Sequence, residues 1–461
     1  MLPPHCPPCA RGKDGAIHIK FLLLWRPVCV CVHMRACMRV CVCVCLCVCV
    51  CVCVCVCVRD HALRAVLGED GACQLLFQIL RDHGLKQEHI AETTLGALHA
   101  LAWNPDNKLR LADVQPHEGM GLVVRALEAF PHLANVQIEG MGVISIMSYY
   151  SDGNKALLHR CGAIPSLVSA MEKHRDAGRV QEQACLAIWS LATQSLLECP
   201  TQLGPQIDAA PLTPKGKPSR AKAGARQLEM PSPQKPSRDM VQAEERRGAL
   251  CMYGAVEALL AALHEHETNG RLCEGAARAL VVLSYNHKGR SRRIYSGLSL
   301  ATTTGTRRVG GLQIFREALQ IHVKHADVLC QVAAAIKNVC SALMMDDVDQ
   351  THDMPDLVPC GLSLLEALRL HLSNAELLKQ GLSALGNVAL NMKANAALPL
   401  SIVDLLLDAM AQHRHDGDLQ KRGMAALFNL AGYTKGAPGP GPAARVLNDP
   451  QRKDIYATRM F

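Results

Sequence analysis

The sequence predicts an all-α solenoid of about seven similar helical units. Hydrophobic residues make up 49% of the 461, yet aromatics only 3%. That Ala/Leu-rich mix suits helices and is a poor supply for the strands of a β-sandwich or barrel. Apolar residues three and four apart recur along the chain, which marks buried helical stripes. The stripes also return at a regular interval. Aligned on Leu98, Ile144, Ile188, Leu280, Ile336, Leu385 and Leu427, the segments stand 46, 44, 92, 56, 49 and 42 residues apart. Most of these spacings match a two- or three-helix solenoid repeat.

Residues 1–58 stand outside the repeat and are not expected to form a folded domain. From Val40 to Val58 the chain alternates Val and Cys, broken only by Leu46. Three readings are open. Nineteen uncharged residues are long enough to span a bilayer, which would make the protein a membrane-tethered adaptor. Alternating thiols on one side of a strand could bind metal. A TG dinucleotide repeat read in any frame also yields Cys-Val, so the run can be a low-complexity artefact of translation. The pair Cys6 and Cys9 has ligand spacing but no second pair at a zinc-finger distance, and no metal is assigned.

Residues 59–194 hold units one to three. Their third-helix segments are Leu95–Leu101, Gly142–Met147 and Ala184–Leu191, and the fifteen residues from Met147 to Gly162 read as an uninterrupted third helix and turn. Upstream of each third helix lies a second apolar stretch, often opened by glycine. The clearest is Gly162-Ala163-Ile164-Pro165-Ser166-Leu167-Val168, and Gly254-Ala255-Val256-Glu257-Ala258-Leu259-Leu260 matches it. Glycine ends the preceding helix, and an early proline removes a donor that is unpaired there anyway.

Residues 195–247 form an insert carrying Pro200, Pro205, Pro211, Pro214, Pro218, Pro231, Pro233, Pro236 and no aromatic. A segment of this composition cannot bury a core and is expected to be disordered. Units four to seven occupy 248–435, with third-helix segments Ala276–Leu283, Ala333–Val339, Gly381–Val388 and Gly423–Leu430. Two connections are long. One reads as a basic loop (Lys288, Arg290, Arg292, Arg293, Arg307, Arg308), the next as an acidic one (Asp346, Asp347, Asp349, Asp353, Asp356), and the two either neutralise each other or stay separately solvated. Residues 436–461 are a Pro/Gly-rich flexible tail.

The Gly-Ala-Ile-Pro-x-Leu-Val opening and the Ala-Ala-Leu-Phe-Asn-Leu-Ala third helix (Ala425–Ala431) resemble the armadillo-repeat family over roughly residues 60–435. No single member stands out. The resemblance implies a right-handed superhelix whose third helices line a concave groove that takes an extended peptide. The matching ladder here is Ser190, Asn338, Asn387 and Asn429, with Asn286 and Asn391 one turn on. A carboxamide can both donate to and accept from a peptide backbone, but it can equally bond the neighbouring repeat. The tryptophans that importin-type grooves add four residues before the asparagine are replaced by Ala334, Ser383 and Ala425.

Histidine recurs near the end of each second helix, at His174, His266, His322, His371 and His413, with His83 and His132 close to the pattern. Packed helices stand 8–10 Å apart, too far for one imidazole per repeat to share an ion. Capping of free carbonyls at a helix C-terminus is the expected role. Neither a Walker loop nor a His-Glu-x-x-His pair is present, and the Gly439, Gly441, Ala444 match lies in the tail without a preceding strand. No catalytic residue or cofactor is assigned. Thr213 and Ser232, each followed by proline, are candidate phosphorylation sites.

Charge sharpens the functional reading. The net +8 is concentrated in residues 1–60 and in the insert, which leaves the helical body near neutral and gives no expectation of nucleic-acid binding. Nine cysteines scattered after residue 58, mostly within apolar stretches, read as buried thiols of a cytoplasmic or nuclear protein. A non-catalytic scaffold for protein or peptide partners is therefore expected. The alternatives are the membrane-tethered adaptor and the regulatory repeats of a larger enzyme.

Overall fold

A computed structural model describes residues 61–113, 118–194, 238–302, 305–344 and 354–431. Unit one comprises α1 (His61–Glu69), α2 (Ala72–Ile79, continued by a π-turn Leu80–Gly84) and α3 (Glu88–Leu101). Unit two is α4 (Pro105–Asp113), α5 (Glu118–Ala129) and α6 (Ala134–Ser148). Unit three is α7 (Asp152–Arg160), α8 (Ala163–Lys173) and α9 (Gly178–Ala192). Unit four is α10 (Arg238–Met252), α11 (Ala255–Glu265) and α12 (Gly270–Ser284). Unit five opens with α13 (Lys288–Ser296), carries an antiparallel hairpin of β1 (Leu298–Thr302) and β2 (Gly305–Val309), and closes with α14 (Gly311–Ile321) and α15 (Ala326–Leu343). Unit six contributes α16 (Leu357–Leu370) and α17 (Ala375–Val388). Unit seven is α18 (Met392–Ala397), α19 (Ser401–Gln412) and α20 (Gly417–Leu430).

Seven third helices are thus present, and the all-α repeat solenoid expected from the sequence is the fold observed. Successive third helices pack closely along one another, whereas most successive second helices meet more sparsely. Closer spacing belongs to the inside of a curved stack, so the third helices form the inner wall. Local sequence explains the joints. Gly71, Gly162 and Gly254 have φ of 86°, 84° and 91°, the left-handed turn that lets a second helix start directly after a first. Asn269, Asn374 and Asp416 cap third helices by accepting from backbone N–H groups two or three residues on. The aligned residues Leu98, Ile144, Ile188, Leu280, Ile336 and Leu385 are fully buried.

Three expectations need correction. The residues between Met147 and Gly162 are not one helix and turn: Ser151 caps a separate short helix, α7. The basic connection is not a loop. It consists of α13 and the β-hairpin, the one local departure from an all-α build among the described residues, with Leu298 paired to Val309 at its base. Two of its arginines are neutralised by unit four: Arg290 binds Glu244 at 2.6 and 3.0 Å and Arg293 pairs with Glu257. The insert also ends earlier than 247, since residues 238–247 are the first ten of α10. The rest of the insert with Thr213 and Ser232, the N-terminal Cys/Val run, the tail, and Asp346, Asp347, Asp349 and Asp353 of the acidic connection lie outside the described residues.

Candidate partner-binding surface

Each repeat boundary is sewn by side chains that reach backwards to the preceding unit. His174 Nε2 meets the carbonyl of Pro131 at 2.8 Å, His266 that of Arg175 at 2.6 Å, and His322 that of Glu267 at 2.8 Å. His371 and His413 repeat the contact on Val323 (2.8 Å) and Leu372 (2.7 Å). A carbonyl only accepts, so each Nε2 carries the proton. From His266 onward the acceptor is the residue that follows the previous unit's histidine. The expected carbonyl-capping role is right in kind, but the carbonyls belong to the neighbouring repeat.

The asparagine ladder is engaged in the same way. Asn338 Nδ2 donates to Val281 O (3.0 Å), Asn387 Nδ2 to Lys337 O (2.9 Å) and Asn429 Nδ2 to Gly386 O (3.0 Å). Ser190 Oγ donates to Ser145 O (3.0 Å) and accepts from Ser148 Oγ (2.8 Å). Ser190, Asn338 and Asn387 are each below 10% exposed. Of the two roles the sequence left open, the geometry places these four side chains in inter-repeat bonding. Asn391 caps α18 by accepting from Ala394 N at 2.9 Å and is buried. Asn286 occupies an exposed turn with φ 47°, a conformation asparagine tolerates.

Several third-helix charges have partners: Glu274 pairs with Arg278, Lys379 with Glu376 and Arg422 with Asp418 within one helix, Glu139 meets His99 of the preceding unit, and Glu182 accepts from Asn269. Lys337 is 1% exposed and donates to Gln380 Oε1 at 2.8 Å. Burial pushes its pKa down to about 8. Lys155, which donates to Thr193 O, is likewise lowered to about 8 by burial.

An aromatic edge runs across the first units. Tyr149 and Trp189 have ring centres 5.9 Å apart, Tyr149 and Tyr150 4.1 Å. Arg278 stands 5.2 Å above the Trp189 ring and Lys108 5.8 Å from the Tyr149 ring. The row cation–Tyr–Trp–cation thus crosses units two, three and four. Trp103, Tyr149 and Tyr150 are 59%, 42% and 70% exposed. Trp103 and Tyr150 hold equivalent places, each directly before the residue (Asn104, Ser151) that caps the next first helix. Sequence reasoning missed this edge. The available signal was the position of scarce aromatics just past successive third helices.

No known protein-family profile matches the chain, and no curated protein does. Solved structures do match. An engineered protein aligns with 80% of this chain and 71% of its own, at 17% identity and a TM-score of 0.52, which supports the solenoid fold. A structure from work on a phosphorylation switch in the cadherin–β-catenin interaction covers 80% of this chain and 72% of its own, at 13% identity and a TM-score of 0.48. A designed armadillo-repeat protein in complex with a (KR)4 peptide covers 77% and 98%, at 15% identity and a TM-score of 0.36.

Proposed function

We propose that this chain is a non-catalytic scaffold that binds protein partners, and that its partner surface is the aromatic edge of units one to four rather than the asparagine ladder. The supporting observation is the row Lys108, Tyr149, Trp189 and Arg278 beside the exposed rings of Trp103 and Tyr150. Exposed Trp and Tyr with an adjacent Arg are the residue types that dominate protein interfaces, because they bring large contact area at low entropic cost. A solenoid holds such residues at fixed places on successive units. Burial raises the Cys73 and Cys251 thiols to about 11, which supports structural rather than nucleophilic cysteines. Free, buried thiols favour an intracellular setting, cytoplasmic or nuclear. The membrane-tethered reading depends on residues outside the described ones.

Proximity labelling with the full chain tests the proposal. Trp189→Ala with Tyr150→Ser should remove the specific partner set, while Asn429→Ala should keep it. An unchanged partner set in the aromatic double variant would overturn this choice of surface.

A further inference from the structure

Tyr150 is conspicuous on two independent counts. Its φ is 55°, in the left-handed region that a bulky side chain enters only at a cost. It is also 70% exposed, its ring meeting the adjacent Tyr149 at 4.1 Å, so little burial within the solenoid offsets that strain. At the equivalent turn of unit four the residue is Asn286, φ 47°, a residue type at ease there. The fold therefore needs no tyrosine at this turn. Its neighbour one unit back, Trp103, is again a large exposed aromatic, and Tyr149 and Trp189 continue the aromatic surface inward.

Spacing narrows the kind of partner. Adjacent packed helices stand about 8–10 Å apart, so equivalent residues of neighbouring units recur at about that interval. A polyproline II strand advances about 3.1 Å per residue with three residues per turn, or about 9 Å per turn. A peptide with proline at every third position would thus present one ring to Trp103 and the next to Tyr150, the two equivalent places, and its unpaired backbone carbonyls would remain free to accept hydrogen bonds. Aromatic grooves hold such segments because the strand is already ordered before binding. Charge completes the match. Lys108 is half-buried beside Tyr149 and donates to its carbonyl, and among the described residues no carboxylate pairs with the ammonium. Its complement is an acidic residue.

We infer that the edge formed by Trp103, Tyr149, Tyr150 and Trp189 binds a proline-rich peptide in polyproline II conformation, with an acidic residue of the peptide seated on Lys108. This rests on the reading of the edge as the partner surface and specifies its ligand.

The test is fluorescence-anisotropy titration of the full chain with a labelled nonapeptide that has proline at every third position and acidic residues at both ends. Tyr150→Gly removes the ring and the strain together, so it should weaken peptide binding at least tenfold while leaving the thermal midpoint unchanged or higher. Replacing the prolines by alanine should weaken binding by a similar factor. Replacing the acidic residues by their amides should weaken binding to the wild type severalfold and make no difference to Lys108→Gln. Equal affinity for the alanine peptide would overturn the proline assignment. Unchanged affinity in Tyr150→Gly, or no binding of the nonapeptide at millimolar protein, would overturn it too. The broader scaffold reading is judged separately by the loss or retention of cellular partners in the proximity experiment.

Discussion

A histidine at the end of a second helix does two things in this molecule. Its backbone N–H closes the helix, as His174 does on Ala170 O at 3.0 Å, and its Nε2–H ties that helix to the preceding unit. Losing one such hydrogen bond costs about 0.5–1.5 kcal/mol, and more where the carbonyl is left unpaired and buried. His371→Ala should therefore lower the unfolding free energy by about 1–2 kcal/mol, read by chemical denaturation, whereas His415→Ala, at an exposed turn, should be silent. Lys337 gives the opposite kind of residue effect. Its pKa is about 8 folded against an ordinary 10.5, so between these values the unfolded chain holds a proton that the folded chain has lost. Stability then rises with pH across that window, and the burial penalty is fully present below pH 8. Lys337→Met should be more stable than the wild type at pH 7, and the gap should shrink by on the order of 3 kcal/mol by pH 10.5. A gap independent of pH would show that the lysine is solvated.

At the scale of elements, the first helices are where sequence reading failed, and α10 shows why. Its stretch Arg238–Met252 is rich in charge and carries little apolar stripe, so it reads as part of the insert. Yet Arg246 Nε donates to Leu191 O (2.9 Å) and Arg247 Nε to Ala192 O (3.0 Å), capping the last carbonyls of α9 across the insert. Cations at a helix C-terminus are favourable both as donors and against the dipole, and here they act alongside the burial of Ala243, Leu250 and Cys251 in placing the helix. Arg290 on Leu283 O (2.6 Å) is the same device one unit later, in the segment read as a basic loop. Second and third helices were legible because their stripes are apolar. The first helices were not, because amide and charged side chains also hold them, through carbonyls that only the fold brings near. This predicts that the connection 195–237 carries no tension between units three and four. With a protease site engineered into it, cleavage should leave two fragments that co-elute in gel filtration. Adding Arg246→Ala with Arg247→Ala should promote their separation.

For the whole molecule, the repeat was legible and its use was not. Periodicity located all seven third helices, since burial imposes the same spacing on each of them. It could not tell whether Asn338 and Asn387 face a ligand or a neighbour, because that depends on how tightly successive third helices approach. Nor could it find Tyr150, whose meaning lies in a turn conformation. The staples make the stack approximately one-dimensional: stability is a sum of unit terms and boundary terms, and each side-chain bond belongs to one boundary. Position along the stack should then decide the consequence of one chemical change. Asn338→Ala breaks a boundary with three described units following it, whereas Asn429→Ala breaks the last described one. Both remove a single donor to a backbone carbonyl, at 3.0 Å in each case. Hydrogen exchange should separate the two. Asn429→Ala should raise exchange in α19 and α20 and leave units one to five as protected as before. Asn338→Ala should raise exchange on both sides of the boundary between units four and five and lower the global unfolding free energy by about 1 kcal/mol or more. Equal, global loss of protection in both variants would mean that the seven units fold as one cooperative body and that the boundary description fails.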